Sequence, residues 1–83
     1  MYKVLLERRA EKDLDVLELS LRKRITEHLL LLAKNPKSSG CKKLAGAKNA
    51  YRIRVSDWRV IYEISDKDKQ VKIYRIKHRA KAY

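Results

Sequence analysis

Glycine, proline, cysteine and phenylalanine are scarce in this 83-residue chain, which has two, one, one and none of them. With so few flexible or helix-breaking residues the chain has no room for a linker. No repeat or low-complexity tract interrupts it, so residues 1–83 read as one small domain with a single modest core. The lone cysteine, Cys41, excludes an internal disulfide and fits a reducing compartment. It lies in a Ser-Gly-Cys-Lys-Lys segment with no histidine nearby, and so does not read as a nucleophile. No apolar run approaches the roughly 18 residues needed to span a bilayer. The start, Met1 to Glu7, carries neither a secretory apolar region nor a small-residue cleavage site, and a cytoplasmic protein is expected. Acidic residues are also short: ten, against 22 lysines and arginines, for a formal net charge of +12.

That balance points to a polyanionic partner, nucleic acid first and an acidic membrane surface second. The charge is unevenly placed. Residues 1–33 hold seven basic and six acidic side chains, residues 34–50 five lysines and no acid, and residues 51–83 ten basic against four acidic. The first third reads as scaffold and the remainder as the working surface.

Residues 2–7 alternate as a first strand, with Tyr2, Val4 and Leu6 on one face. Over residues 10–34 the spacing becomes helical, and Leu14, Leu17, Leu21, Ile25, His28, Leu29 and Leu32 form one apolar stripe. Ser20 as an N-cap divides the stripe into helices over 10–18 and 21–34, packed as a hairpin; a single long helix is the alternative. Asn35-Pro36 ends the second helix, because the residue before proline avoids the α region. A basic connector over 36–50, anchored by Leu44, leads to strands over 50–55, 58–64 and 71–76, with turns at Ser56-Asp57 and Asp66 to Lys69. The order βααβββ predicts an α+β fold: a helical hairpin packed on one face of a small, mainly antiparallel twisted sheet.

The strands over 50–55 and 58–64 carry the chemistry. In Tyr51-Arg52-Ile53-Arg54-Val55, period two puts Arg52 and Arg54 on one face and the apolar residues on the other. Trp58-Arg59-Val60-Ile61-Tyr62 repeats the pattern, and Arg59 on the same side brings three guanidinium groups together. Such groups repel one another, and an anionic partner best accounts for the cluster. Alternating arginines on a sheet face also occur as an ordinary solvated surface; Trp58 and Tyr62 read as core, and His28 as a partly buried packing residue. His28 and His78 are far apart in sequence with no carboxylate pair at ligand spacing, so neither a metal site nor a cofactor is expected.

These segments, together with Lys43-Leu44-x-Gly46, the C-terminal His78-Arg79-x-x-x-Tyr83, the Ala10-Glu11-Lys12-Asp13-Leu14 helix start and the Asn35-Pro36 stop, resemble the RelE/ParE superfamily of toxin–antitoxin toxins over essentially the whole chain. RelE-like members are ribosome-dependent endonucleases that cut mRNA in the decoding site, whereas ParE-like members share the fold and poison DNA gyrase. The resemblance implies an mRNA interferase that arrests translation, with a catalytic patch at Arg52, Arg54, Arg59, Arg79 and Tyr83 on the sheet face away from the helices. Its implied partners are a RelB-like cognate antitoxin, the 70S ribosome with its rRNA, and mRNA. Lys42, Lys43, Lys48, Lys67, Lys69, Lys72 and Lys77 are expected to hold rRNA phosphates. A gyrase inhibitor of the same fold and a non-catalytic RNA-binding protein are the alternatives.

Metal-independent RNA cleavage uses the substrate's own 2′-OH. The protein must supply a base for that proton, cations for the pentacoordinate phosphate, and an acid for the leaving 5′-oxygen. Arginines suit the second role, being always charged and able to grip phosphate oxygens in a bidentate fork; Arg59 with Arg52 or Arg54 is expected there. Tyr83 can stack on a base or hydrogen-bond the phosphate. Many relatives have lysines where this chain has Arg52 and Arg54, and arginine, with a pKa of roughly 12.5 or above, is a poor base. His78, with an ordinary pKa of about 6.5, and Glu63, which alternation places on the face of Arg59, are the candidates for that role. Glu63 reads more readily as a salt-bridge partner of Arg52 or Arg54 than as a base, and His78 equally as a structural residue.

Overall fold

In the computed structural model, which describes residues 1–37, 41–44 and 49–78, the order of elements is βααββββ. The elements are β1 (Lys3–Leu6), α1 (Arg8–Asp15), α2 (Leu19–Lys34), β2 (Cys41–Lys43), β3 (Ala50–Val55), β4 (Trp58–Ser65) and β5 (Gln70–His78). One sheet joins all five strands in the order β1-β5-β4-β3-β2; β1 runs parallel to β5 and every other pair is antiparallel. The helices cover one face. The expected α+β architecture holds, with one strand more than the sequence suggested.

The apolar stripe explains the long helix. Ile25, Leu29, Leu32 and Ala33 of α2 are buried at steps of three and four, and Leu17 joins them from the inter-helix turn. They pack on the sheet's inner face, whose buried residues include Val55, Val60, Ile64, Val71 and Ile73. Each such side chain contributes about 1.5–3 kcal/mol when fully buried. Asn35 leaves the α region at φ −145° and ψ 87° while its N–H still bonds the Leu31 carbonyl, so the helix stops before Pro36 as its sequence requires. Ser20 lies inside α2 instead of capping it. Glu18 occupies the cap position and accepts a 2.6 Å hydrogen bond from the Ser20 hydroxyl. The hairpin is fastened instead by Arg22, whose Nη2 donates to the Leu17 carbonyl at 3.2 Å.

Tyr62 is fully buried in β4, and its hydroxyl donates to the Pro36 carbonyl at 2.8 Å, tying the end of α2 to the sheet. Burial first, then the nearby Cys41, pushes the phenol pKa well above its ordinary value of 10.0.

Strand β5 contains a β-bulge. Ile61 faces Arg75 while the next residue, Tyr62, faces Ile73, so Tyr74 is the extra residue. The apolar positions demand it. Val71 and Ile73 are buried at odd positions and Ile76 at an even one, and an unbroken strand would turn Arg75 into the core instead of Ile76. Beyond Leu6, where β1 ends, helix α1 takes over the edge of β5. The Asp13 carboxylate accepts from the Ile76 N–H at 2.9 Å and from Arg75 Nε at 2.8 Å and Nη2 at 3.2 Å. Burial alone would raise the Asp13 pKa; the Arg75 hydrogen bond and then the Ile76 N–H outweigh it and hold the carboxyl below 3.8.

Candidate nucleic-acid interface

The outer face of the sheet is cationic because strand register stacks its basic residues in rows. Lys42 of β2 is opposite Arg52 of β3, Arg54 is opposite Arg59 of β4, and Arg59 is opposite Lys77 of β5. Lys42, Arg52, Arg54 and Arg59 together line a cavity of about 140 Å³. Arg54 is exposed and Arg52 and Arg59 are half-buried, while Ile53, Val55 and Val60 on the same strands are buried behind them. Like charges directly opposite across two strands destabilise a sheet. Four cationic side chains around one small concavity fit a phosphate, whose oxygens accept from guanidinium and ammonium donors.

Of the other sequence-predicted residues, Glu63 and Lys72 form an opposed pair on this outer face. Lys72 Nζ lies 3.9 Å from Glu7, and the Tyr74 phenol lies within electrostatic reach of Glu63. Burial, followed by Glu63 and Glu7, raises the Tyr74 pKa above 10.0. Two residues fall elsewhere. Lys43 is opposite Tyr51 and so belongs to the helix-side face, at the exposed end of β2. His78 is opposite Trp58, with its ring edge-on to the indole at 5.4 Å and 84°, again on the helix side and away from the arginines. The bulge is the reason: it inverts the alternation after Tyr74, so His78 turns inward while Lys77 is paired with Arg59. Of the two candidate bases, only Glu63 shares the arginines' face. Lys48, Arg79 and Tyr83 lie outside the described residues, as does Gly46; Lys67 and Lys69 belong to the β4–β5 turn, away from the pocket.

Sequence reasoning missed Tyr74 and counted Lys42 only among the rRNA-binding lysines. Lys42 enters the pocket only because residues 41–43 form β2, and a three-residue segment with two lysines carries no strand signal of its own. Tyr74 reaches the outer face at the bulge, whose signal was present in the switch of apolar parity between Ile73 and Ile76. Among the described residues, no group of three or more His, Cys, Asp or Glu side chains is placed to hold a metal ion, and no helix is long and apolar enough to cross a membrane.

A helical hairpin on one face of a five-stranded sheet, with basic residues on the other, is the RelE-like fold, and comparison with known proteins agrees. The RelE–RelB complex of the archaeon Pyrococcus horikoshii OT3 matches at 32% identity and TM-score 0.83, covering 98% of each chain. The RelBE2 toxin–antitoxin complex of Mycobacterium tuberculosis matches at 26% identity and TM-score 0.84, covering 94% of this chain and 98% of that one. The isolated E. coli RelE toxin shares the fold at TM-score 0.83 and 22% identity, covering 94% and 84%. No curated protein matches by sequence. The family model of the ParE toxin of the type II toxin–antitoxin system parDE matches residues 4–83, and the chain belongs to that family, within the RelE/ParE superfamily of toxins.

Proposed function

We propose that this toxin is a metal-independent endoribonuclease of the RelE kind, cleaving mRNA in the ribosomal A site and so stopping translation. The observation that carries the reading is the convergence of Lys42, Arg52, Arg54 and Arg59 on one concavity of phosphate size. In the proposed reaction the 2′-oxygen attacks the adjacent phosphorus and the P–O5′ bond breaks, giving a 2′,3′-cyclic phosphate and a 5′-hydroxyl. The arginines stabilise the additional negative charge on the phosphorane, which fixed guanidinium groups do without reorganising. Glu63 takes the 2′-OH proton, and a water molecule protonates the departing 5′-oxygen. Arg79 and Tyr83, by the resemblance to RelE-like toxins, complete the charge stabilisation and the contact with the base or phosphate. Lys72 and Lys77 on β5 add rRNA phosphate contacts, and such binding weakens steeply with salt.

The same cationic face suits a RelB-like antitoxin, whose acidic or amphipathic segment would cover it in the cytoplasm; the matched P. horikoshii and M. tuberculosis toxins are in complexes with antitoxins. Toeprinting on programmed ribosomes tests the nuclease. Wild type is expected to cut in the A-site codon and Arg59→Ala to lose most of that cutting, and no cleavage by wild type would overturn the reading. A second reading, inhibition of DNA gyrase, is favoured by the description of the matching family. It predicts loss of gyrase supercoiling with translation left intact.

A further inference from the structure

We propose that Tyr74 and the groove beside it form a nucleobase subsite adjoining the phosphate pocket: a base of the bound RNA stacks on the Tyr74 ring while Arg8 and Arg9 take a neighbouring phosphate. The inference rests on the RNA reading above and extends the same site. The groove measures about 400 Å³ and is lined by Glu7, Arg8, Arg9, Tyr74 and Arg75. One row of the sheet joins its lining to that of the pocket, since Arg52 is opposite Ile61 and Ile61 is opposite Arg75, next to Tyr74. Two strand spacings, about 10 Å, separate Arg52 from β5. A dinucleotide covers that distance.

Tyr74 is the half-buried extra residue of the bulge, next to the inward Ile73 and beside a face rich in cations. Its backbone is fixed between its neighbours in the ladder, with Ile73 opposite Tyr62 and Arg75 opposite Ile61. The groove's other charges are matched in part. Glu7 lies 3.9 Å from Lys72 and Arg75 pairs with Asp13 at 2.8 Å. Arg8 and Arg9, exposed on the first turn of α1, supply the groove's positive charge. An aromatic ring flanked by arginines is the combination that binds single-stranded RNA, with the ring taking the base and the cations the backbone.

The test uses ribosomes programmed with an mRNA whose A-site codon carries 2-aminopurine at each position in turn. A 2′-deoxy nucleotide at the cleaved bond separates binding from chemistry. Wild type and Tyr74→Phe are expected to change the fluorescence at one codon position, since both keep an aromatic face. Tyr74→Leu is expected to abolish that change and, on cleavable mRNA, to lower kcat/KM roughly 5- to 150-fold, the range of a lost base–aromatic stack. An unaltered signal or an unaltered rate in Tyr74→Leu, with the ribosome still bound, overturns the subsite and leaves the nuclease reading in place. If wild type neither binds the programmed ribosome nor cuts the cleavable mRNA, the nuclease reading falls and the subsite with it.

Discussion

Replacing Tyr62 by phenylalanine removes one oxygen from the centre of the molecule, and its effect can be worked out in advance. The residue is 0% exposed, and its hydroxyl donates at 2.8 Å to the Pro36 carbonyl just beyond α2. Phenylalanine keeps the ring and leaves that carbonyl without its donor, at a cost of about 1.5 kcal/mol, within the range for a buried group deprived of its partner. With an unfolding entropy of about 2.1 cal/mol/K per residue, 83 residues give a Tm about 9 °C lower.

The pH dependence makes this prediction specific. Burial holds the folded phenol protonated above its ordinary pKa of 10.0, whereas in the unfolded chain it ionises near that value. Above pH 10 the unfolded state therefore binds fewer protons than the folded one, and wild-type stability falls by up to about 1.4 kcal/mol per pH unit from this group alone. Tyr62→Phe lacks that loss. Urea unfolding from pH 7 to 11 should show wild type ahead by about 1.5 kcal/mol at neutral pH and the two proteins level near pH 11. A difference that stays constant over that range would mean that the phenol is not buried as described.

Asp13→Asn keeps the acceptor for the Ile76 N–H and removes the charge facing Arg75, so it should cost about 1 kcal/mol above pH 5 in urea unfolding. Because the folded Asp13 pKa lies below 3.8, its stabilisation is present above that value and lost as pH falls through the lowered one. The variant should therefore show a shallower acid limb. Ser56, in the β3–β4 turn, has φ 56°, and Ser56→Gly should raise stability by about 0.5–1 kcal/mol by thermal melt, since glycine takes left-handed backbone without the Cβ clash. In single-turnover cleavage on programmed ribosomes, Glu63→Gln should slow the reaction 10²-fold or more, roughly the contribution of a general base. His78→Gln should leave the rate and pH profile unchanged; a changed profile would return the base to His78.

The parts of this fold legible in the sequence are those in which one residue pattern dictates one geometry. The stripe Ile25, Leu29, Leu32 has no reading other than a helix face, and Asn35-Pro36 could only stop it. In the same way, apolar-arginine alternation over Tyr51 to Tyr62 set both the β3–β4 hairpin and the sides to which Arg52, Arg54 and Arg59 point. Strand β2 was not legible, because Cys41–Lys43 takes its conformation from the ladder with β3 and not from its own side chains. The helix boundaries slipped for a related reason. Ser20 has the chemistry of a cap but lies two residues past the cap position and spends its hydroxyl on Glu18, while Arg22 closes the hairpin through a backbone carbonyl that sequence cannot reveal.

The bulge at Tyr74 is the decisive case, because a single inserted residue redistributes every side chain after it. A regular β5 with Val71 and Ile73 inside would carry His78 to the arginine face and Arg75 and Lys77 into the core. Burying two charges that way costs several kcal/mol each, and giving up the burial of Ile76 adds to it. The bulge avoids both penalties and exchanges the occupants of the two faces: Ile76 and His78 go inward, while Arg75 and Lys77 turn outward. The requirements of the core have thus removed an imidazole from the arginine face and put a lysine, Lys77, there. A face built on arginine then suits phosphate charge, and Glu63 is the carboxylate proposed above for proton transfer. Its rate should accordingly be more sensitive to loss of an arginine than to any change at His78.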